Sequence, residues 1–180
     1  YILRELEAAA GYTKAADVAF TVRDTNEIQT VNMNNKQTVM HFSKVDETGE
    51  KELPGAKLQI TDEDGNIIDQ WTSTEEQHTI TGLTEGQKYV MIEISAPYGY
   101  EIAEKIEFTA GDGQKVVMKD KMIRVSVVVN KVDSVTKENI KSKNFEFTMY
   151  KDAECTQKIE TVQADKEQGT ATFANIPFGT

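Results

Sequence analysis

Tyr89-Val90-Met91-Ile92-Glu93-Ile94-Ser95-Ala96-Pro97-Tyr98-Gly99-Tyr100 decides the reading of this chain, because a degenerate copy of it opens the sequence. Tyr1-Ile2-Leu3-Arg4-Glu5-Leu6-Glu7-Ala8-Ala9-Ala10-Gly11-Tyr12 repeats its Tyr, Glu, Ala, Gly and Tyr in register, at an offset of 88 (93 − 5). Phe20-Thr21 matches Phe108-Thr109 at the same offset. Internal repeats set the architecture of a chain before any local propensity does.

Three more segments follow suit. Val31-Asn32-Met33-Asn34-Asn35-Lys36 resembles Val116-Val117-Met118-Lys119-Asp120-Lys121, and Phe42-Ser43-Lys44-Val45-Asp46 resembles Val129-Asn130-Lys131-Val132-Asp133. Thr79-Ile80-Thr81-Gly82-Leu83-Thr84-Glu85-Gly86 resembles Thr172-Phe173-Ala174-Asn175-Ile176-Pro177-Phe178-Gly179. Residues 1–38 therefore read as the C-terminal half of a unit, 39–122 as a complete unit and 123–180 as the N-terminal half of another. Joining Gly179-Thr180 to Tyr1 would give a sequence close to Gly86-Gln87-Lys88-Tyr89, so 123–180 is expected to complete 1–38. A circularly permuted two-domain protein and a frame cut through a repeating array both produce this order, since termini at a surface loop are tolerated. Two unpaired halves are disfavoured, because a half sandwich exposes apolar faces and open strand edges. With Tyr1 in place of Met at its start, the chain is expected to be a piece of a longer protein.

Apolar and polar residues alternate in Lys57-Leu58-Gln59-Ile60-Thr61, Ile106-Glu107-Phe108, Val125-Ser126-Val127 and Phe145-Glu146-Phe147-Thr148-Met149. Period two means strands with one buried face. Asp46-Glu47-Thr48-Gly49, Asp62-Glu63-Asp64-Gly65-Asn66 and Ala110-Gly111-Asp112-Gly113 supply turns between them. The expected fold is all-β, two β-sandwiches in tandem, one of them permuted. A short helix is expected near Thr13–Asp17, and Trp71 and Tyr89 are expected to pack in the core or at its edge.

The 180 residues are 38% hydrophobic and 28% charged, with a net charge of −10. That acidity argues against nucleic acid and anionic membranes as partners. No apolar run is long enough for membrane insertion by a helix. The single cysteine, Cys155, excludes an internal disulfide, so an extracellular chain of this kind must obtain its stability some other way.

Lys44, Glu93 and Asp120 each fall inside a strand pattern, although such residues are seldom buried unless paired. On the residues alone, a solvated face or a structural ion pair explains them. Phe42-Ser43-Lys44-Val45-Asp46-Glu47, Glu52-Leu53-Pro54-Gly55-Ala56, Glu93-Ile94-Ser95-Ala96-Pro97-Tyr98-Gly99-Tyr100 and Val117-Met118-Lys119-Asp120, in that order, resemble the collagen-adhesin B-type domains of Gram-positive surface proteins and pilins. These are SpaA-like, prealbumin-like (Ig-like) sandwiches. Within that family, residues 39–122 are most similar to the streptococcal fibronectin-binding-protein domain that has been split for peptide ligation.

The resemblance implies an autocatalytic isopeptide bond: Lys44 as nucleophile, Asp120 as acyl acceptor, Glu93 as proton shuttle, with no cofactor and no metal. Burial lowers a lysine pKa and raises a carboxyl's, which frees the amine to attack. The folded core holds the groups at high effective concentration, and Glu93 moves protons. Lys131, Glu5 and Asn35 align with the first set, so they imply a second bond with ammonia as leaving group. Ala9 and Ala10 stand where Pro97 and Tyr98 do in the complete unit. Through joined termini Lys131 precedes Glu5 by 54 residues (180 − 131 + 5), against 49 between Lys44 and Glu93. Lys131 to Asn35 is 84 (180 − 131 + 35), against 76 from Lys44 to Asp120. Asn34 is the rival acceptor, but strand alternation turns it to the other face.

Weaker signals carry less. Asp62 to Asn66 resembles the start of a calcium loop without its distal glutamate, and a hairpin turn explains it better. Cys155-Thr156-Gln157 lacks the aromatic context of a thioester site, and His41 and His78 have no partner pattern. No basic-aromatic interleaving, nucleophile elbow or phosphate-cradling glycine loop is present.

The expected function is a structural stalk module of a cell-wall-anchored, extracellular adhesin or pilin, with neighbouring domains of the same surface protein as partners. The alternative is a ligand-binding module for a host extracellular matrix protein or glycan, which calls for exposed aromatic patches or long insertions. A turnover enzyme would need an open cleft at the carboxylates, so only a single self-directed reaction is expected.

Overall fold

A computed structural model describes residues 1–141 and 145–178; Gly179 and the Gly179-Thr180 junction used in the repeat lie outside them. Every regular element among the described residues is a strand. The chain divides into two compact units, Tyr1–Lys121 and Met122–Thr180.

The first unit is built around a sandwich. Strand β3 (Val39–Asp46) lies between β6 (His78–Thr81) and β9 (Lys115–Asp120). The second sheet runs β5 (Ile67–Thr72), β4 (Lys57–Asp62), β7 (Lys88–Ser95), β8 (Ile106–Thr109). Alternation does the sorting: Tyr89, Met91 and Glu93 of β7 are buried, as are Val116, Met118 and Asp120 of β9. Met40, Phe42, Leu58, Ile60, Met91 and Met118 join the two sheets in one core. Trp71 and Tyr89 belong to that core, as expected, with the Phe42 ring 6.0 Å from Trp71 and 5.4 Å from Phe108. Strands β3 and β9, first and last of residues 39–122, are parallel neighbours, Lys44 opposite Met118 and Asp46 opposite Asp120.

Residues 1–38 carry β1 (Ile2–Leu3) paired with β2 (Val18–Ala19). They repeat the β7–β8 pairing register of the complete unit, Ile2 facing Ala19 as Val90 faces Glu107, although the segment aligned with β9 forms no strand. Tyr1 stacks on Phe20 at 5.8 Å and 30°, and Tyr89 stacks on Phe108 at 5.9 Å and 25°. Tyr12 N donates to Ala9 O at 3.0 Å, and Tyr100 N donates to Pro97 O at 3.1 Å. The turn therefore closes without proline, because the left-handed residue after it is glycine in both copies, Gly11 (φ 79°) and Gly99 (φ 88°). The expected helix at Thr13–Asp17 is absent. Thr13 N donates to Lys36 O, Ala15 N to the Glu5 carboxylate, and Arg4 grips Asp17 through Nε (3.0 Å) and Nη2 (2.6 Å). Partners distant in sequence satisfy these groups and set the path of the segment in place of a local turn.

A side chain at Gly11 would meet the carbonyl oxygen of Gly82 at 2.6 Å in a backbone conformation alanine dislikes. Gly11→Ala is expected to destabilise the seat of residues 1–38 by about 1–3 kcal/mol. Faster amide exchange at Thr38, whose N–H donates to Gly11 O at 3.0 Å, reports it.

The second unit pairs β10 (Arg124–Asn130) with β13 (Thr170–Pro177), and β11 (Glu146–Tyr150) with β12 (Lys158–Gln163). Its register copies the complete unit: Val128 faces Thr172 as His41 faces Thr79, and Val127 faces Phe173 as Met40 faces Ile80. Ile140 N donates to Lys131 O at 2.7 Å, as Leu53 N donates to Lys44 O at 2.6 Å. Phe173 and Ala171 are buried, whereas Val125, Val127 and Val128 stay exposed. Asp62 caps its own hairpin by accepting from Asp64 N and Asn66 N, and exposed Cys155 sits in the β11–β12 turn.

Candidate functional site

Three ionisable side chains meet inside the first sandwich. Lys44 comes from β3 and Asp120 from β9, one diagonal step apart on the same face of neighbouring strands. Glu93 reaches them from β7 in the opposite sheet. Lys44 Nζ contacts Asp120 Oδ1 and lies 3.0 Å from Glu93 Oε1, and the three side chains are at most 1% exposed. The other oxygen of Glu93, Oε2, accepts from Ala103 N at 2.6 Å, which fixes the carboxyl's orientation. Asp120 Oδ2 is buried without a hydrogen-bond partner among the described residues.

Such a cluster is expensive as ions. Two carboxylates and one ammonium out of water leave one negative charge uncompensated. Burial accordingly pushes the Asp120 carboxyl up from 3.8 to about 6, against the pull of Lys44 and with a smaller push from Glu93. A carboxyl whose neutral form burial favours, beside an amine and with a second carboxyl in reach of that nitrogen, is equipped for amide formation.

Glu5 and Asn35 also meet. Asn35 Nδ2 donates to both Glu5 oxygens, at 2.8 and 2.7 Å, and to Thr13 O at 3.1 Å. Glu5 Oε2 accepts from Ala15 N at 2.6 Å, the counterpart of the Glu93–Ala103 bond. The Ala15 N–H, then Asn35, hold the Glu5 carboxyl below its ordinary range. Asn34 is exposed and Asn35 half-buried, the expected difference between the two, although residues 31–36 form no strand. In the second unit, the Lys131 ammonium lies 4.6 Å from the centre of the Phe145 ring.

Two side chains beside Lys44 escaped the sequence reading. Glu52 Oε2 accepts from Lys44 N at 3.0 Å, and Glu52 Oε1 accepts from the buried Ser43 hydroxyl at 2.5 Å. Glu52 sits three residues past the Asp46–Gly49 turn, but period and charge alone do not say that it folds back onto β3. His78, given no role from sequence, stacks on Trp71 at 4.3 Å and 13° and pairs with Asp69 at 2.8 Å. His41 Nδ1 lies 3.1 Å from Thr79 Oγ1. No three metal-ligating side chains cluster among the described residues, and no helix there is long and apolar enough to cross a membrane.

With this geometry in view, the likenesses to known proteins gain meaning. No curated protein matches the chain. The Bacillus anthracis TIE protein is similar in structure over 99% of this chain and 34% of its own, with 27% identity and a TM-score of 0.67. The shaft pilin SpaA of Lactobacillus rhamnosus GG matches 69% of this chain and 62% of its own, at 17% identity and a TM-score of 0.43. GBS52, a minor pilin of Streptococcus agalactiae, matches 57% and 51%, at 21% identity and a TM-score of 0.41. The chain thus spans about a third of the TIE protein and less than two thirds of either pilin. Residues 38–122, the stretch that holds Lys44, Glu93 and Asp120, match the family model SpaA, a prealbumin-like fold domain.

Proposed function

We propose that the chain is a structural stalk module of a Gram-positive cell-surface adhesin or pilin, braced by an intramolecular bond between Lys44 and Asp120. The observation that carries this is the sealed contact of Lys44 with Asp120 and Glu93, between the first and last strands of residues 39–122. The neutral amine attacks Cγ of Asp120. An N–C bond forms, the carboxyl C–O bond breaks, and Glu93 carries the amine proton to the departing hydroxyl, which leaves as water. The Lys44 and Asp120 charges are both removed, Glu93 is returned to the state in which it began, and nothing remains to turn over. The likeness of residues 39–122 to the streptococcal ligation domain belongs to this reading.

The same reading gives Lys131 and Asn35 a second bond, with ammonia leaving and Glu5 as shuttle, in a domain completed from residues 1–38 and 123–180. The Glu5–Asn35 contact and the shared register of the two repeats support it. The module belongs outside the cell, anchored to the wall, with neighbouring domains of its own protein as partners.

Intact mass of the denatured, full-length chain tests the reading. A deficit of one water is expected, with one ammonia more if the second set closes. Full mass in folded protein defeats the proposal.

A pH test follows from Asp120. In a chain that cannot close, such as Glu93→Ala, burial still holds the Asp120 pKa above its unfolded value. The folded state then binds more protons between about pH 4 and 6, so stability falls as pH rises through that window and levels off above it. Asp17, Asp46 and Asp62, all held low, act with the opposite sign and at lower pH. Urea midpoints from pH 4 to 7 should slope downward in Glu93→Ala relative to the closed chain, whose Asp120 no longer titrates.

A further inference from the structure

Strand β6 accompanies β3 only from Val39 to Phe42. Beyond Phe42, that edge of β3 has lost its neighbour just where the lysine stands. Residues alternate the side to which they present backbone groups, and His41 N, donating to Gln114 O at the start of β9, shows that the odd positions face β9. The Lys44 N–H and C=O therefore point to the vacated side. The chain returns there: Leu53 N donates to Lys44 O at 2.6 Å, and Lys44 N donates to Glu52 Oε2 at 3.0 Å. The remaining Glu52 oxygen takes the Ser43 hydroxyl, whose residue is fully buried.

We infer that Glu52 is a positioning residue for the Lys44–Asp120 bond, an assignment that rests on the proposed reading above. Its carboxylate replaces the missing strand and holds the Lys44 Cα from the side opposite β9. Lys44 is a long, flexible side chain, so the place of Nζ against Asp120 is only as definite as the backbone that carries it. Small displacements of a reacting atom have large costs in rate. The second unit shows the alternative. Its counterpart of Glu52, Asn139, keeps the backbone bridge to Val132 but turns its side-chain amide to Gln168 O at 2.9 Å. At this position the second unit carries an asparagine amide rather than a carboxylate.

The test is the rate of closure in the full chain, made by cell-free synthesis, chased over time and read by intact mass after quenching in denaturant. Glu52→Ala is expected to slow water loss at least tenfold. Glu52→Gln, whose amide oxygen still accepts from Lys44 N–H, should return the rate to within about threefold of the unaltered chain. Leu83→Ala, a buried core truncation away from this contact, is the stability control, with unfolding measured for each variant in the Glu93→Ala background. Slow closure in Leu83→Ala equal to that in Glu52→Ala at matched stability overturns the assignment. So does failure of glutamine to rescue, or unimpaired closure in Glu52→Ala. If the unaltered chain itself never loses water, the bond is wrong rather than the role of Glu52.

Discussion

Replacing Glu93 by alanine or glutamine will abolish the loss of one water, and the melting temperature will drop by roughly 20 °C or more. Glu93 Oε1 is the carboxyl oxygen 3.0 Å from Lys44 Nζ that does not belong to the acceptor, and the pocket holds no solvent-exposed base to replace it. Without that carboxyl the amine proton has no route to the departing hydroxyl. The thermal effect is a consequence of the lost loop. Lys44 and Asp120 are 76 positions apart, and closing a loop of that size stabilises by about 4.5 kcal/mol on the chain-entropy account. Intact mass and thermal unfolding, measured on both variants, check the two halves together. A water deficit that persists in Glu93→Ala would remove Glu93 from the chemistry. Full mass with an unchanged melting temperature would show that no bond had existed to lose.

Pulled from its ends, the closed chain will never release the residues between Lys44 and Asp120. Force entering at the start of β3 leaves at the end of β9, and these strands are parallel neighbours, so the load shears their hydrogen bonds together before any of them yields. The covalent bridge sits across the same two strands and takes the load when the hydrogen bonds fail. The Glu93→Gln chain has no bridge, and its 76-position segment will add about 260 Å of contour length at roughly 3.4 Å per residue. Single-molecule extension of the two full-length chains measures that difference. Equal final lengths would mean the bridge bears no load.

Much of the fold was legible because it is local. The shared offset aligned Tyr1 with Tyr89 and Phe20 with Phe108, and the structure adds that each Tyr stacks on its own Phe. Burial of Leu58 and Ile60 followed from period two, whereas Glu93, set in an apolar run, read on the residues alone as a solvated face or an ion pair. The helix expected at Thr13–Asp17 failed for the opposite reason: Lys36 O and the Glu5 carboxylate, both remote in sequence, outcompeted the local turn. Glu52 was quoted as part of a pattern and given no role, because its partners are a backbone N–H and a serine hydroxyl that carry no charge signature.

By itself the sequence determined the repeat, the all-β class and the short set of ionisable residues set among apolar neighbours, since alternation and turn chemistry act over a few residues. Only the tertiary structure decided that β9 returns parallel to β3, that Glu93 enters from the facing sheet, and that Lys44, Glu93 and Asp120 share one pocket shut off from water. Desolvation depends on which atoms surround a group from every side, and those atoms come from strands dozens of residues apart.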